Sequence, residues 1–185
     1  YGVAQEFPDL PPFATIFLEK PLTVGPDEVN GIMLRFFNYG PHFAPQGKSV
    51  VQVEFETGWD YWTDLQRDDR AAYDAEKDRI AREVLARLEA HHPGITSDVE
   101  VIDVATPYTT WRYTLNHRGS WGGWLMTSEA MSTSIERTLP GLSSFAMAGQ
   151  WVMPGGGVPS SLYSGRHAVQ LLCHDDGRSF STTSI

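Results

Sequence analysis

Residues 68–92, DDRAAYDAEKDRIAREVLARLEAHH, decide the fold class, because this long stretch contains neither glycine nor proline. Apolar side chains recur along it at helical spacing and would share one face: Tyr73, Ile80, Ala81, Val84, Leu85 and Leu88. Charged residues occupy most of the remaining positions, and Glu83 and Arg87 stand at the i,i+4 spacing that supports a helix. Pro93-Gly94 would end the helix. The pattern therefore predicts a long amphipathic helix with a solvated charged face, and a docking face is the less favoured alternative.

Extended segments flank this helix. Residues 50–56, VVQVEFE, place Val51, Val53 and Phe55 on one face and polar side chains on the other, which is typical of a half-buried strand in a mixed or antiparallel sheet. Further strands are predicted at residues 13–19, 32–38 and 99–104, with a turn at Gly25-Pro26-Asp27 between the first two. Together with the long helix, these strands predict an α+β fold.

The C-terminal part has a different pattern, in which a glycine-rich turn separates two regular elements. Residues 143–148, SSFAMA, predict a short strand, and residues 149–157 follow as the turn. Residues 159–174 predict a helix whose inward side chains would be Leu162, Val169, Leu172 and Cys173. Glycines and a helix N-terminus suit an anionic or electron-rich group such as a phosphate or a flavin carbonyl. The pattern is neither GxGxxG nor a P-loop, so a purely structural turn is an equal alternative.

Composition excludes several classes of function. The 185-residue chain carries a net charge of -9 and no run of basic residues, which disfavours a nucleic-acid partner. One cysteine excludes a disulfide framework, and the histidines show no paired metal-ligand spacing, so we predict no metal site. No apolar run approaches the roughly 18 residues of a membrane span. Six tryptophans leave aromatic surface beyond the needs of a core, which favours a ligand.

Two ordered segments resemble a known family. Residues 145–172, FAMAGQWVMPGGGVPSSLYSGRHAVQLL, are similar to the C-terminal flavin-binding motif of the phytoene desaturase and carotenoid isomerase-like FAD-dependent oxidoreductases, in the amine-oxidase superfamily. Residues 106–124, TPYTTWRYTLNHRGSWGGW, resemble the preceding segment of the same family. Gln150 departs from the pattern, since the family usually has an acidic residue there. The resemblance covers residues 99–173 well and is weaker over residues 1–93.

The resemblance implies a domain organisation. Residues 1–105 would be part of a substrate-binding domain, residues 106–140 a segment crossing near flavin and substrate, and residues 141–185 the C-terminal part of an FAD-binding domain. The family's GxGxxG motif is missing, so the chain looks like the C-terminal third of such an enzyme. One partner of the chain would be the missing N-terminal dinucleotide-binding part of the enzyme. We expect the isolated segment to be inactive and to bind FAD weakly or not at all.

The resemblance also implies site residues but assigns no catalytic one. The FAD contacts would be Gly149, Gln150, Trp151, Gly157, Val158, Pro159 and Ser160. The residues near the flavin or the hydrophobic substrate would be Tyr108, Arg112, Tyr113, Trp121 and Trp124. Core packing is an equal alternative for each of these aromatic side chains.

The implied function is desaturation, oxidation or isomerisation of a hydrophobic, carotenoid-like substrate by an FAD-dependent enzyme. We expect a cytoplasmic protein, with peripheral membrane contact and homo-oligomerisation left open. The alternative class is a stand-alone binding or interaction domain that uses a Trp-rich surface for an apolar or sugar ligand.

Overall fold

The computed structural model describes residues 1–182, so the last residues of the predicted segment 141–185 lie outside the described part. The chain divides into two compact units, Tyr1–Gly119 and Ser120–Ile185. We call them the first and second units. The assignment of the predicted segments to substrate and FAD domains stays a prediction.

The first unit is built on a five-stranded sheet with the order β2-β3-β4-β1-β5, and its neighbouring strands pair antiparallel. Its strands are β1 Gly2–Val3, β2 Phe13–Val24, β3 Asp27–Phe36, β4 Ser49–Glu54 and β5 Val99–Val101. The predicted turn at Gly25 joins β2 and β3, which extend to the turn and are therefore longer than expected. The two-residue β1 is too short to show a period and was not predicted. The α+β fold with an antiparallel sheet is confirmed.

The helices of the first unit are α1 Trp59–Asp68, α2 Arg70–His91, α3 Ile95–Asp98 and α4 Pro107–Thr114. Helix α2 confirms the predicted long helix, and all of its predicted inward side chains are buried. Helix α2 starts at Arg70, inside the predicted range, because Asp69 leaves the helical backbone conformation with φ -148° and ψ 91°. The Asp69 carboxylate accepts a hydrogen bond from the Ala72 amide and so begins a new helix.

The core of the first unit lies between α2 and the sheet. Side chains of the helix stripe and of the two long strands form one buried cluster that includes Leu22, Ile32, Leu34, Ile80, Val84 and Leu88. Leu22 and Leu88 are completely inaccessible to solvent. Because burial of an aliphatic side chain stabilises a fold by about 1.5–3 kcal/mol, this cluster is the main source of stability in the unit.

The tip of the β2–β3 hairpin is fastened to α1 and α2. Gly25 has φ 57°, and a Cβ at this position would lie 2.5 Å from the Tyr61 ring. The Tyr61 hydroxyl donates to Glu76 over 3.0 Å, and Arg79 bonds both Glu76 and the Thr23 carbonyl oxygen over 2.7 Å. Burial and the bond to Glu76 raise the pKa of Tyr61 to about 12. The hydrogen bond from Arg79 lowers the pKa of Glu76, so the carboxylate stays charged.

The second unit contains two helices among its described residues, α5 Ser128–Ser132 and α6 Gly157–Asp175. Helix α6 confirms the predicted C-terminal helix and begins two residues earlier than expected. The predicted strand at residues 143–148 is absent. An apolar run becomes a strand only beside another strand, and the described part of this unit has none.

The predicted inward face of α6 is largely wrong. Leu162, Val169 and Leu172 are exposed, and Cys173 is half-buried. The buried positions are Ser164 and Ala168, one helical turn apart. Ser164 faces the preceding turn, where its hydroxyl accepts a hydrogen bond from the Gly149 amide. Across the described residues of both units, no helix combines the length and the apolar character that a bilayer crossing demands.

The buried stripe of α2 yields a stability test. We expect Val84→Asp to lower the free energy of unfolding by at least about 3 kcal/mol, since it places an unpaired charge in the core. Ala86→Asp, two residues along on the exposed face, is the matched control and should cost less than about 1 kcal/mol. Denaturant titration of both variants measures the difference. Equal losses would contradict the assignment of Val84 to the buried face and Ala86 to the exposed one.

The hairpin tip yields a second test, with two glycines of positive φ as a matched pair. Gly47→Ala meets only backbone strain, since its φ is 80° and a Cβ there would contact nothing; we expect about 1–2 kcal/mol. Gly25→Ala adds the collision with the Tyr61 ring and should cost at least about 1 kcal/mol more. Thermal unfolding measures both changes. If the two variants have the same melting temperature, the packing of Tyr61 on Gly25 does not hold the tip.

Candidate functional site

A shallow cleft of about 640 Å³, widely open to solvent, lies at the start of α6 in the second unit. It is lined by Gly149, Gln150, Trp151, Gly157, Val158, Ser161 and Leu162. Most of the predicted FAD contacts therefore lie together, whereas Pro159 and Ser160 are not among the lining residues. Sequence reasoning missed Ser161 and Leu162, although each stands one helical turn after a predicted contact. Whether the cleft binds FAD stays a prediction.

Backbone conformation explains the glycines at the two ends of this turn. Gly149 has φ 118° and Gly157 has φ 73°, values that side-chain-bearing residues rarely adopt. A Cβ at Gly149 would meet no neighbouring atom, so the backbone there is open to an approaching group. Gly156 occupies the N-cap position of α6 and offers no side chain to cover the first helical amides.

A buried serine ties the turn to the helix. Ser164 is completely inaccessible to solvent. Its hydroxyl accepts a hydrogen bond from the Gly149 amide over 2.7 Å and donates one to the Ser161 carbonyl oxygen over 2.8 Å. The first wall residue of the cleft is thereby fixed to the second turn of α6.

The segment 120–124 packs against the other end of the same wall. The Trp124 indole nitrogen donates to the Trp151 carbonyl oxygen over 2.8 Å, and the two rings meet edge to face with centroids 5.5 Å apart. A Cβ at Gly123 would collide with the Gln150 carbonyl oxygen. Trp121 is 83% exposed. The end of one family-like segment therefore contacts the glycine-rich turn of the other.

The remaining predicted substrate residues lie on α4 in the first unit. This helix has a capping box, since Thr106 and Thr109 bond each other's backbone amides, and Pro107 takes the first position. The Tyr108 ring meets the Tyr73 ring edge to face at 6.3 Å, at the margin of the core. Tyr113 is exposed, with the Arg112 guanidinium 5.4 Å from its ring centroid.

The chemistry of the cleft is that of a binding surface. None of the described side chains that line it is ionisable, so they supply no general acid, general base or charged nucleophile. No group of three His, Cys, Asp or Glu side chains within residues 1–182 could hold a metal ion.

These residues fit FAD. Trp151, Val158 and Leu162 offer apolar surface for flat rings, and the Gln150 amide can donate and accept hydrogen bonds. The open backbone at Gly149 admits a group that a side chain would exclude.

The contact between segment 120–124 and the turn can be tested with adjacent glycines. Gly123→Ala would push against the Gln150 backbone, whereas a Cβ at Gly122 would meet nothing. We expect Gly123→Ala to destabilise the second unit by about 1–3 kcal/mol and Gly122→Ala to cost much less. Tryptophan fluorescence during denaturation reports the change, because Trp124 and Trp151 lie at the contact. Equal denaturation midpoints for the two variants would show that Gly123 does not lie close to the Gln150 backbone.

Comparisons with known proteins give a distant similarity, and no family model matches the chain. Prolycopene isomerase, chloroplastic, of Daucus carota is 24% identical over 135 residues, which cover 72% of this chain and 22% of that protein. The Arabidopsis thaliana protein of the same name is 23% identical with the same coverage. Prolycopene isomerase 2 of an Oncidium hybrid cultivar is 23% identical over 167 residues, or 90% of this chain and 25% of that protein.

The chain thus spans a quarter or less of the length of these curated relatives. They are carotenoid isomerases, which agrees at a coarse level with the resemblance seen in the two segments. Their names place them in the chloroplast, so they lend no support to the predicted cytoplasmic location. The chain is distantly similar to prolycopene isomerases.

Proposed function

We propose that this chain is part of an FAD-dependent oxidoreductase that acts on a hydrophobic, polyene-like substrate by desaturation, oxidation or isomerisation. The observation that carries the proposal is the cleft at the start of α6. Its walls come from the glycine-rich turn and the helix, and they bear no ionisable side chain. Such a lining would suit a cofactor that brings its own reactivity. The similarity to prolycopene isomerases supports the same class of chemistry.

The residues of the cleft would hold FAD by four means. Gly149 and Gly157 let the cofactor approach the backbone, and the Gln150 amide would bond a phosphate or a hydroxyl. The N-terminus of α6 would favour negative charge beside Val158. Apolar surface of Trp151 and Leu162 would exclude water from the bound ring. FAD supplies the electron-transfer chemistry when it is bound.

The aromatic side chains predicted from the sequence remain the proposed substrate contacts. Trp121 and Tyr113 expose most of their rings and would offer apolar contact to a polyene. Tyr108 and Arg112 remain proposed substrate neighbours. Trp124 differs from them, because its ring and its indole N–H are both engaged by Trp151.

The complete protein would supply the dinucleotide-binding part and cover the exposed apolar side chains of α6. Leu162, Val169 and Leu172 leave a row of apolar surface along this helix, and such surface seldom stays in water. The relatives are about four times longer than the matched region, which leaves ample chain for that part.

The test uses the full-length protein and FAD. We expect the purified protein to be yellow, or to become so on titration with FAD, with flavin fluorescence quenched on binding. Leu162→Asp should weaken FAD binding at least about tenfold, since it places a negative charge in the cleft beside a bound anion. Leu162 is 69% exposed, so the fold should survive.

The matched control is Leu142→Asp, a leucine that is 53% exposed and does not line the cleft. It should bind FAD like the parent. Failure of the full-length parent to bind FAD would contradict the proposal and favour the non-enzymatic binding domain. Equal weakening by both variants would move the FAD site away from the cleft.

A further inference from the structure

We propose that Ser164 and Trp124 are positioning residues that hold the Gly149–Trp151 wall of the cleft from its two ends. Neither side chain lines the cleft. Both bind the backbone of residues that do. The inference rests on the proposed function for its ligand, FAD, and on the geometry of the second unit for the rest.

The Ser164 side chain is fully buried in the second unit. A polar side chain with no solvent exposure requires hydrogen-bond partners, and Ser164 uses its hydroxyl both as donor and as acceptor. The bond to the Ser161 carbonyl oxygen, three residues back on α6, orients the hydroxyl. Its lone pair then faces the Gly149 amide. An alanine would fit the space but leave that amide without this acceptor.

Trp124 acts at the opposite end of the wall. Its indole N–H bonds the Trp151 carbonyl oxygen, and its ring packs edge to face on the Trp151 ring. These contacts fix both the backbone and the side chain of a lining residue. Gly123, directly before it, lets the segment approach the Gln150 backbone. Trp124 is thereby better placed to orient the wall than to meet substrate.

The wall needs such ties because of its conformation. Gly149 sits at φ 118°, and glycine exchanges readily among many backbone conformations when nothing restrains it. Tying the Gly149 amide and the Trp151 carbonyl oxygen fixes both ends of a three-residue wall. A wall held in its binding conformation before the ligand arrives loses less entropy on binding.

The experiment uses the full-length protein and two readouts. Amide hydrogen exchange of the peptide covering residues 149–152 is measured without FAD, and FAD affinity is measured by titration. We expect Ser164→Ala to speed exchange in that peptide and to weaken FAD binding, each about tenfold. Exchange in the middle of α6 and in α2 should not change, which separates positioning from general loss of stability.

Trp124→Phe is the second variant, and it keeps an aromatic ring but removes the indole N–H. Trp124 is half exposed, so this variant folds even if the buried serine proves sensitive. It should speed exchange in the same peptide by less than Ser164→Ala does, and it should weaken FAD binding in proportion. Ser132→Ala is the control, since that exposed serine bonds a carbonyl oxygen three residues back, like Ser164, but lies outside the cleft. It should match the parent in both readouts.

Parent-like exchange of the 149–152 peptide in both Ser164→Ala and Trp124→Phe overturns the inference. Faster exchange with unchanged FAD affinity, in a parent that binds FAD, also overturns it. A parent that binds no FAD counts against the proposed function alone. In that case the exchange data still decide whether the two residues hold the wall.

Discussion

Burial of one stripe of α2 against one face of the antiparallel sheet is the interaction on which the first unit depends. It joins residues from β2 and β3 to a helix that follows them by dozens of positions, and it leaves Leu22 and Leu88 without solvent contact. The polar fastening at Tyr61, Glu76 and Arg79 sits at the edge of this core. Such ties orient the hairpin tip, while the apolar contact supplies most of the stability.

The second unit is held together differently. Among its described residues, Val152 and Ala168 are the only buried hydrophobic side chains. Close approach of backbone segments and a few specific hydrogen bonds take the place of a large core. Ser164 binds the Gly149 amide, Trp124 binds the Trp151 carbonyl oxygen, and Gly123 abuts Gln150. The cleft therefore owes its shape to directional contacts, each of which acts on a named backbone atom.

This construction suits a site that binds a reactive group. The lining side chains of the wall carry no ionisable group, and its glycines and helix N-terminus can receive a ligand close to the backbone. The proposal of a flavin enzyme joins that geometry to the distant similarity with prolycopene isomerases. Positioning by Ser164 and Trp124 adds contacts from behind the wall. The family-like pattern named Trp124 only as a neighbour of flavin or substrate and did not single out Ser164.

Local patterns in the sequence determined the elements whose causes are themselves local. The apolar period of α2 and the turn at Gly25 each depend on residues within a few positions, and each lies where it was predicted. The cleft residues from Gly149 to Val158 could be predicted as a group because they are neighbours along one segment. The cap at Asp69 is equally local, and it sets the start of α2 inside the predicted range.

Only the tertiary structure decided what depends on a distant partner. Residues 143–148 have the composition of a strand but find no strand to pair with in the described part of their unit. Leu162 and Val169 have the spacing of an inward face, yet Ser164 and Ala168 are the buried side chains of the helix. The role of Ser164 could not be predicted for the same reason. A serine in a helix accepts a hydrogen bond from another segment only when packing brings an amide of that segment to it. Periodicity reports which side chains could be buried, whereas packing decides which of them are.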